Sequence, residues 1–162
     1  MRSTGEVMGI DRDFPTAFAK SQSAAFGELP TEGTVFISIA DTAKRAIVFP
    51  AARMRELGLT ILATAGTAPV LRRNRIDAQV VRKSSEGRGP EGEPTVVDLI
   101  RDGYIDMVVN TPQTSENRHD GYQIRQAATS NDKTIITTLQ AFNAAVQAIG
   151  DRPRADRCGW PC

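Results

Sequence analysis

From Gly33 onward the chain repeats one pattern: a short run that is apolar throughout, then a segment with helical spacing. The runs are Thr34-Val35-Phe36-Ile37-Ser38-Ile39, Thr60-Ile61-Leu62-Ala63, Ala78-Gln79-Val80-Val81, Asp106-Met107-Val108-Val109-Asn110 and Lys133-Thr134-Ile135-Ile136-Thr137. A strand with one face in water alternates polar and apolar residues, whereas these do not, so they belong to a parallel sheet covered on both faces. Helices are predicted at about residues 43–57, 67–74, 95–102, 119–130 and 139–149. Such βα units define an α/β fold, a doubly wound, mainly parallel five-stranded sheet with helices on both faces. A chain of 162 residues holds one such core.

Two local features qualify the pattern. Ala43, Ile47, Ala51, Met54 and Leu57 form an apolar stripe, but Pro50 falls inside it and predicts a kink or restart. The stretch from Ser84 to Pro94 is rich in glycine, proline and charge, and is expected to be a mobile loop. Residues 1–32 read as a leader and linker, 33–149 as the domain, and 150–162 as an atypical tail. The leader opens a helix at Phe14-Pro15, with Phe18, Ala24, Ala25 and Phe26 at helical spacings. Its apolar face has no obvious partner in so short a leader, which makes it read as a piece of a longer protein.

With 20 basic and 19 acidic side chains the net charge is +1, so no overall field draws the chain to nucleic acid or to an anionic membrane. No run reaches the roughly 20 apolar residues of a membrane span, and the N-terminus lacks a signal-peptide pattern, so a cytoplasmic protein is expected. Cys158 and Cys162 both lie in the tail and read as free thiols. With a single histidine, no metal site or other cofactor is expected.

The stretch Leu62-Ala63-Thr64-Ala65-Gly66-Thr67-Ala68-Pro69 joins a strand to a helix. Gly66 permits a tight turn, Thr64 and Thr67 supply hydroxyls, and the first helical amides lack partners. Such an elbow cradles phosphate, although Thr67 could also simply cap the helix. In open parallel sheets ligands lie at the carboxyl ends of the strands. Those ends deliver Ser38 with Asp41, Thr42 and Lys44; Thr64, Gly66 and Thr67; Arg82 and Lys83; Asn110 and Thr111; and Thr137 and Thr138. Lys44 and Lys83 can neutralise a phosphate, and the Asn110 amide, which both donates and accepts, can read a ribose or base edge. The rim has no Ser/His/Asp set and no carboxylate pair, so it suits binding better than chemistry. His119, before a helix, reads as solvated or capping; Arg72-Arg73-Asn74-Arg75 reads as a helix-end charge cluster, and Asp98 and Asp106 as capping or solvated groups.

Several of these segments also carry a resemblance. Met1 to Gly9, Gly33-Thr34-Val35-Phe36-Ile37-Ser38, Ala63-Thr64-Ala65-Gly66-Thr67, Lys83-Ser84-Ser85-Glu86-Gly87-Arg88, Asp98-Leu99-Ile100 and Val109-Asn110-Thr111-Pro112 occur in order and resemble the carboxyl-terminal end of carbamoyl-phosphate synthetase large subunits. The resemblance implies a regulatory domain with a methylglyoxal-synthase-like fold, not itself an enzyme, within a ligase that serves arginine and pyrimidine biosynthesis. It further implies UMP and IMP as effectors, ornithine at the junction with a neighbouring domain, and as partners the rest of the large subunit, the glutaminase small subunit and a second copy of the chain. By the same resemblance the effector site falls on Ser38, Lys44, Thr64, Gly66, Thr67, Lys83, Asn110 and Thr111. Pro112 replaces a hydroxyl residue of some members, and Ile136 stands where ornithine-responsive members can carry an acidic residue, which weighs against ornithine control. Two other readings remain: a structural domain that has lost its ligand, and a methylglyoxal-synthase-type lyase. The lyase resemblance calls for Gly-Gly-Asp after the third strand, where this chain has Lys83-Ser84-Ser85-Glu86-Gly87.

Overall fold

The computed structural model describes residues 7–111 and 118–151. The five strands are β1 (Thr34–Ser38), β2 (Thr60–Ala63), β3 (Gln79–Val80), β4 (Met107–Asn110) and β5 (Thr134–Ile136). They form one sheet in the order β3-β2-β1-β4-β5, and every pairing is parallel. The helices are α1 (Phe14–Phe26), α2 (Val48–Glu56), α3 (Ala68–Arg73), α4 (Val96–Arg101), α5 (Arg118–Ser130) and α6 (Leu139–Asp151). The doubly wound reading of the sequence therefore holds.

Continuous apolarity in the strands follows from having a core on each face. Successive side chains point to opposite sides of a strand. Val35, Ile37 and Ile39 join Met107, Val109 and Ile136 under α2, α3 and α6, where Ile47, Met54, Leu71 and Phe142 are fully covered. Phe36, Leu62 and Val108 face the other way, against Val96 and Ile100 of α4 and Ile124 and Ala128 of α5. β1 is thus buried along its whole length.

Three expectations need correction. The helix predicted from residue 43 begins only at Val48, after a separate 3-10 turn at Asp41–Ala43. Pro50 lies in the first turn of α2, where amides have no helical acceptor, and the first α-type bond runs from Ala51 N to Ile47 O at 2.9 Å. The leader helix does have a partner: α1 packs on α6, with Phe18 and Ala19 against the first core. Met8, Ile10 and Phe14 remain exposed beside it.

The segment from Ser84 to Pro94, expected to be mobile, is a hydrogen-bonded construction. A 3-10 turn spans Ser84–Glu86, Gly89 N donates to Glu93 O at 3.1 Å, and Gly92 N to Gly89 O at 2.9 Å. Arg82 braces it, donating from Nε to Gly87 O at 3.1 Å and from Nη2 to Glu86 O at 3.2 Å. The segment ends in a reciprocal cap on α4: Asp98 N donates to Thr95 Oγ1 at 3.3 Å, and Thr95 N donates to Asp98 Oδ2 at 3.0 Å. That backbone N–H, then the Thr95 hydroxyl and the Arg88 guanidinium, hold the Asp98 carboxyl below the usual carboxylate range.

A carboxyl whose folded pKa is depressed contributes stability above its unfolded pKa and loses it as pH falls toward the folded value. Asp98→Asn should therefore flatten the loss of stability below about pH 4, the ordinary Asp range. Thr95→Ala should cost about 1 kcal/mol at neutral pH. Urea unfolding followed by circular dichroism at the two pH values measures both, and an unchanged acid limb in Asp98→Asn would count against the cap as its source. Asp106, the other capping candidate, instead accepts from Thr34 N at 2.8 Å and so ties the start of β4 to the start of β1.

Residues 1–6, 112–117 and 152–162, including Pro112, Cys158 and Cys162, lie outside the described residues. Ile136 is buried at the end of β5. No helix among the described residues is long and apolar enough to cross a membrane.

Candidate functional site

The strand order places a topological switch beside β1. From β1 the chain moves to β2 and β3 on one side, then returns to β4 on the other. The loops leaving β1 and β4 therefore diverge, and a crevice opens at the carboxyl ends of the strands. Ser38 and Asn110 face each other in register at that edge, and both are buried. Thr111 closes the gap from the β4 side: its N donates to Ser38 O, and its Oγ1 accepts from Ala40 N, both at 3.1 Å.

On the β2 side the elbow is more closed than the sequence suggests. Thr64 Oγ1 donates to Thr67 Oγ1 at 3.1 Å, and Thr67 has no exposed surface. Thr67 occupies the cap position of α3 but makes no side-chain cap bond. The Thr67 and Ala68 amides both donate to Thr64 O at 2.9 Å, and Pro69 has no N–H. The exposed backbone of the elbow is that of Ala65 and Gly66, whose amides donate to no group among the described residues. An anion would thus meet these two amides first, with the threonine pair as the wall behind them.

Gly66 serves this geometry through size. A Cβ there would lie 3.2 Å from the Lys44 Nζ, so the missing side chain makes room for the ammonium over the elbow. Lys44 is held at the turn after β1 by an ion pair with Asp41, whose carboxylate is otherwise largely exposed. The Lys44 hydrogen bond and charge hold the Asp41 carboxyl below its usual range, and the charge of Lys83 adds to them. Of the two lysines, Lys44 is the one paired with Asp41; Lys83 acts on that carboxylate only through its charge, from the loop after β3. The sequence placed Asp41 among the strand-end residues but gave no sign that it would occupy Lys44.

Lys83 is positioned through its neighbours. Its backbone N donates to Glu86 Oε2 at 3.1 Å, so this carboxylate closes the turn. Ser85 then fastens the turn to α5, its N and Oγ donating to the buried Asp120 carboxylate at 3.1 and 2.8 Å. Farther along α5, Arg125 Nη1 donates to Asn110 Oδ1 at 3.1 Å. Asp120 and Arg125 went unnoticed in the sequence. The available signal was that α5 directly follows β4, which sets its first turns beside the end of that strand.

Other rim residues have structural tasks. Arg82 braces the loop after β3, and Thr138 Oγ1 caps α6 by accepting from Ala141 N at 3.1 Å. Thr137 is exposed at the end of the sheet. His119 is exposed, 2.9 Å from the Gln123 side chain, as its reading as a solvated residue anticipated. Arg72 donates to Ala78 O at 2.8 Å, and with Arg73 forms the basic last turn of α3. Among the described residues no group of His, Cys, Asp and Glu is arranged to hold a metal ion.

An all-parallel five-stranded sheet with helices on both faces is a doubly wound α/β domain, and residues 46–147 match the model of the MGS-like domain. The chain belongs to that family. Along 149 residues, 92% of its length, it is 66% identical to the carbamoyl phosphate synthase large chain of Beutenbergia cavernae. It is 62% identical to the protein of the same name from Kineococcus radiotolerans, and 57% identical to that of Streptomyces avermitilis, over the same share. The match covers only 13–14% of those relatives.

Proposed function

We propose that this chain is the effector-binding regulatory domain of a carbamoyl phosphate synthase large chain, and that it binds a nucleoside monophosphate such as UMP or IMP at the sheet edge. The Lys44 ammonium over the open amides of the Thr64 to Thr67 elbow, with the charge of Lys83 acting on the same rim, supports this reading most directly. A phosphate docks on the Ala65 and Gly66 amides against the two ammonium groups, displacing Asp41. The nucleoside then extends across β1 toward Ser38, Asn110 and Thr111. The neighbouring domains of the synthetase and its glutaminase partner would respond because a bound nucleotide favours one docking arrangement over another, a coupling typically worth about 1–3 kcal/mol. The chain itself supplies binding rather than turnover. Glu86, the carboxylate nearest in sequence to the one a lyase would need, is engaged with the Lys83 amide.

Calorimetric titration of UMP and IMP into this chain tests the proposal. Saturable one-site binding, weakened by inorganic phosphate as competitor, is the expected result. Absence of heat for both nucleotides in a folded chain would leave a structural domain as the better account, and turnover of dihydroxyacetone phosphate would favour a lyase.

A further inference from the structure

The contact between Arg125 and Asn110 restricts what the rim can recognise. A guanidinium carries only donors, so the carboxamide atom 3.1 Å from Arg125 Nη1 has to be the oxygen. Left alone, an Asn side chain can turn either its oxygen or its N–H groups to a ligand. Here the oxygen is engaged by a cation, and a ligand donor would have to share it. What Asn110 has left to offer is its N–H.

The fold makes this orientation durable. Asn110 is buried at the end of β4, in register with Ser38. Arg125 reaches it from α5 across Gly121, where a Cβ would lie 3.1 Å from Arg125 Nη1 and 3.5 Å from Asn110 Oδ1. Glycine at 121 therefore leaves the space in which the pair forms. The turn carrying Lys83 is fastened to the same helix through Ser85 and Asp120, so α5 positions both a cation and the Asn110 amide.

Geometry also indicates which part of a nucleotide Asn110 meets. The elbow ends β2 and Asn110 ends β4, two strand spacings apart, about 10 Å. That span matches the reach of a nucleoside monophosphate from its phosphate to the edge of its base. Resting on the binding proposal above, we infer that Arg125 is a positioning residue that holds Asn110 as an N–H donor, and that the rim selects bases presenting an oxo oxygen over bases presenting an amino group.

The test compares pairs that differ in that one group, UMP with CMP and IMP with AMP, by calorimetry on the wild type, Arg125→Met, Arg125→Lys and Gly121→Ala. The wild type should prefer the oxo member by about tenfold, the scale of one well-placed hydrogen bond. Arg125→Met should reduce that preference to about twofold or less, chiefly by strengthening CMP while UMP changes little, because the freed Asn110 carboxamide can turn its oxygen to an amino group. Arg125→Lys, which still donates to the oxygen, should retain the preference. Gly121→Ala, whose Cβ would crowd Arg125 Nη1 at 3.1 Å, should narrow it without abolishing it. An unaltered preference in Arg125→Met, or equal weakening of UMP and CMP, overturns the inference while the binding proposal stands. No nucleotide binding by the wild type overturns both.

Discussion

Replacing Lys44 and Lys83 together with alanine should weaken nucleotide binding by roughly a hundredfold or more, with little change in folding. Each ammonium is expected to make a charge-assisted bond to phosphate, and bonds of that kind contribute about 1.5–3 kcal/mol apiece. Losing two removes at least about 3 kcal/mol. Folding should tolerate the change because the Asp41 carboxylate that Lys44 holds is 87% exposed, so no buried charge is stranded. The Asp41 carboxyl should also rise toward the ordinary range once its Lys44 partner is gone. Calorimetry, a thermal melt and an NMR titration of Asp41 read the three effects separately. Retention of wild-type affinity would move the phosphate elsewhere and remove the basis of the proposed site.

The largest effect on stability should come from Phe142→Ala. Phe142 is fully buried in the core beneath α6, beside Ile37, Met54 and Val109. Truncating a buried Phe costs about 3–5 kcal/mol, since the transfer free energy is lost and a cavity is left. Against a total of roughly 5–15 kcal/mol for a domain, that is a large share. Because α1 packs on α6, the leader helix should loosen in the same transition. Equilibrium urea unfolding monitored by circular dichroism gives the number. A loss under about 1 kcal/mol would mean that the site collapses around the smaller side chain.

How far the sequence revealed the fold depended on how local the determining physics was. Phe36 and Ile37 are adjacent and both fully buried, which only a sheet covered on both faces allows, so the architecture was legible from β1 alone. The start of α2 was not, because Ala43 and Ile47 keep the apolar stripe through a 3-10 turn and a bend that periodicity cannot distinguish from helix. Composition also misjudged the segment after Lys83: glycine and proline were read as looseness, whereas Arg82 and Asp120 supply the acceptors and donors that organise it.

The candidate site shows the same division. Strand ends located Ser38, Lys44, Thr64, Gly66, Thr67, Lys83, Asn110 and Thr111, because each follows or closes a strand. Partnerships could not be located that way. The mutual bond of Thr64 and Thr67, the hold of Lys44 on Asp41 and the reach of Arg125 to Asn110 depend on rotamers and on helix placement. The first was obscured most, since its residues were assigned to a ligand rather than to each other.

The Asp41 carboxylate gives the rim an inner counter-ion. Paired with Asp41, the Lys44 ammonium is already held over the elbow, so little of its ordering cost falls on the ligand. Docking then becomes an exchange of one anion for another rather than the filling of an empty field. In the proposed site Asp41 would also act as a return spring: as a nucleotide leaves, a tethered anion is already at hand to reclaim Lys44.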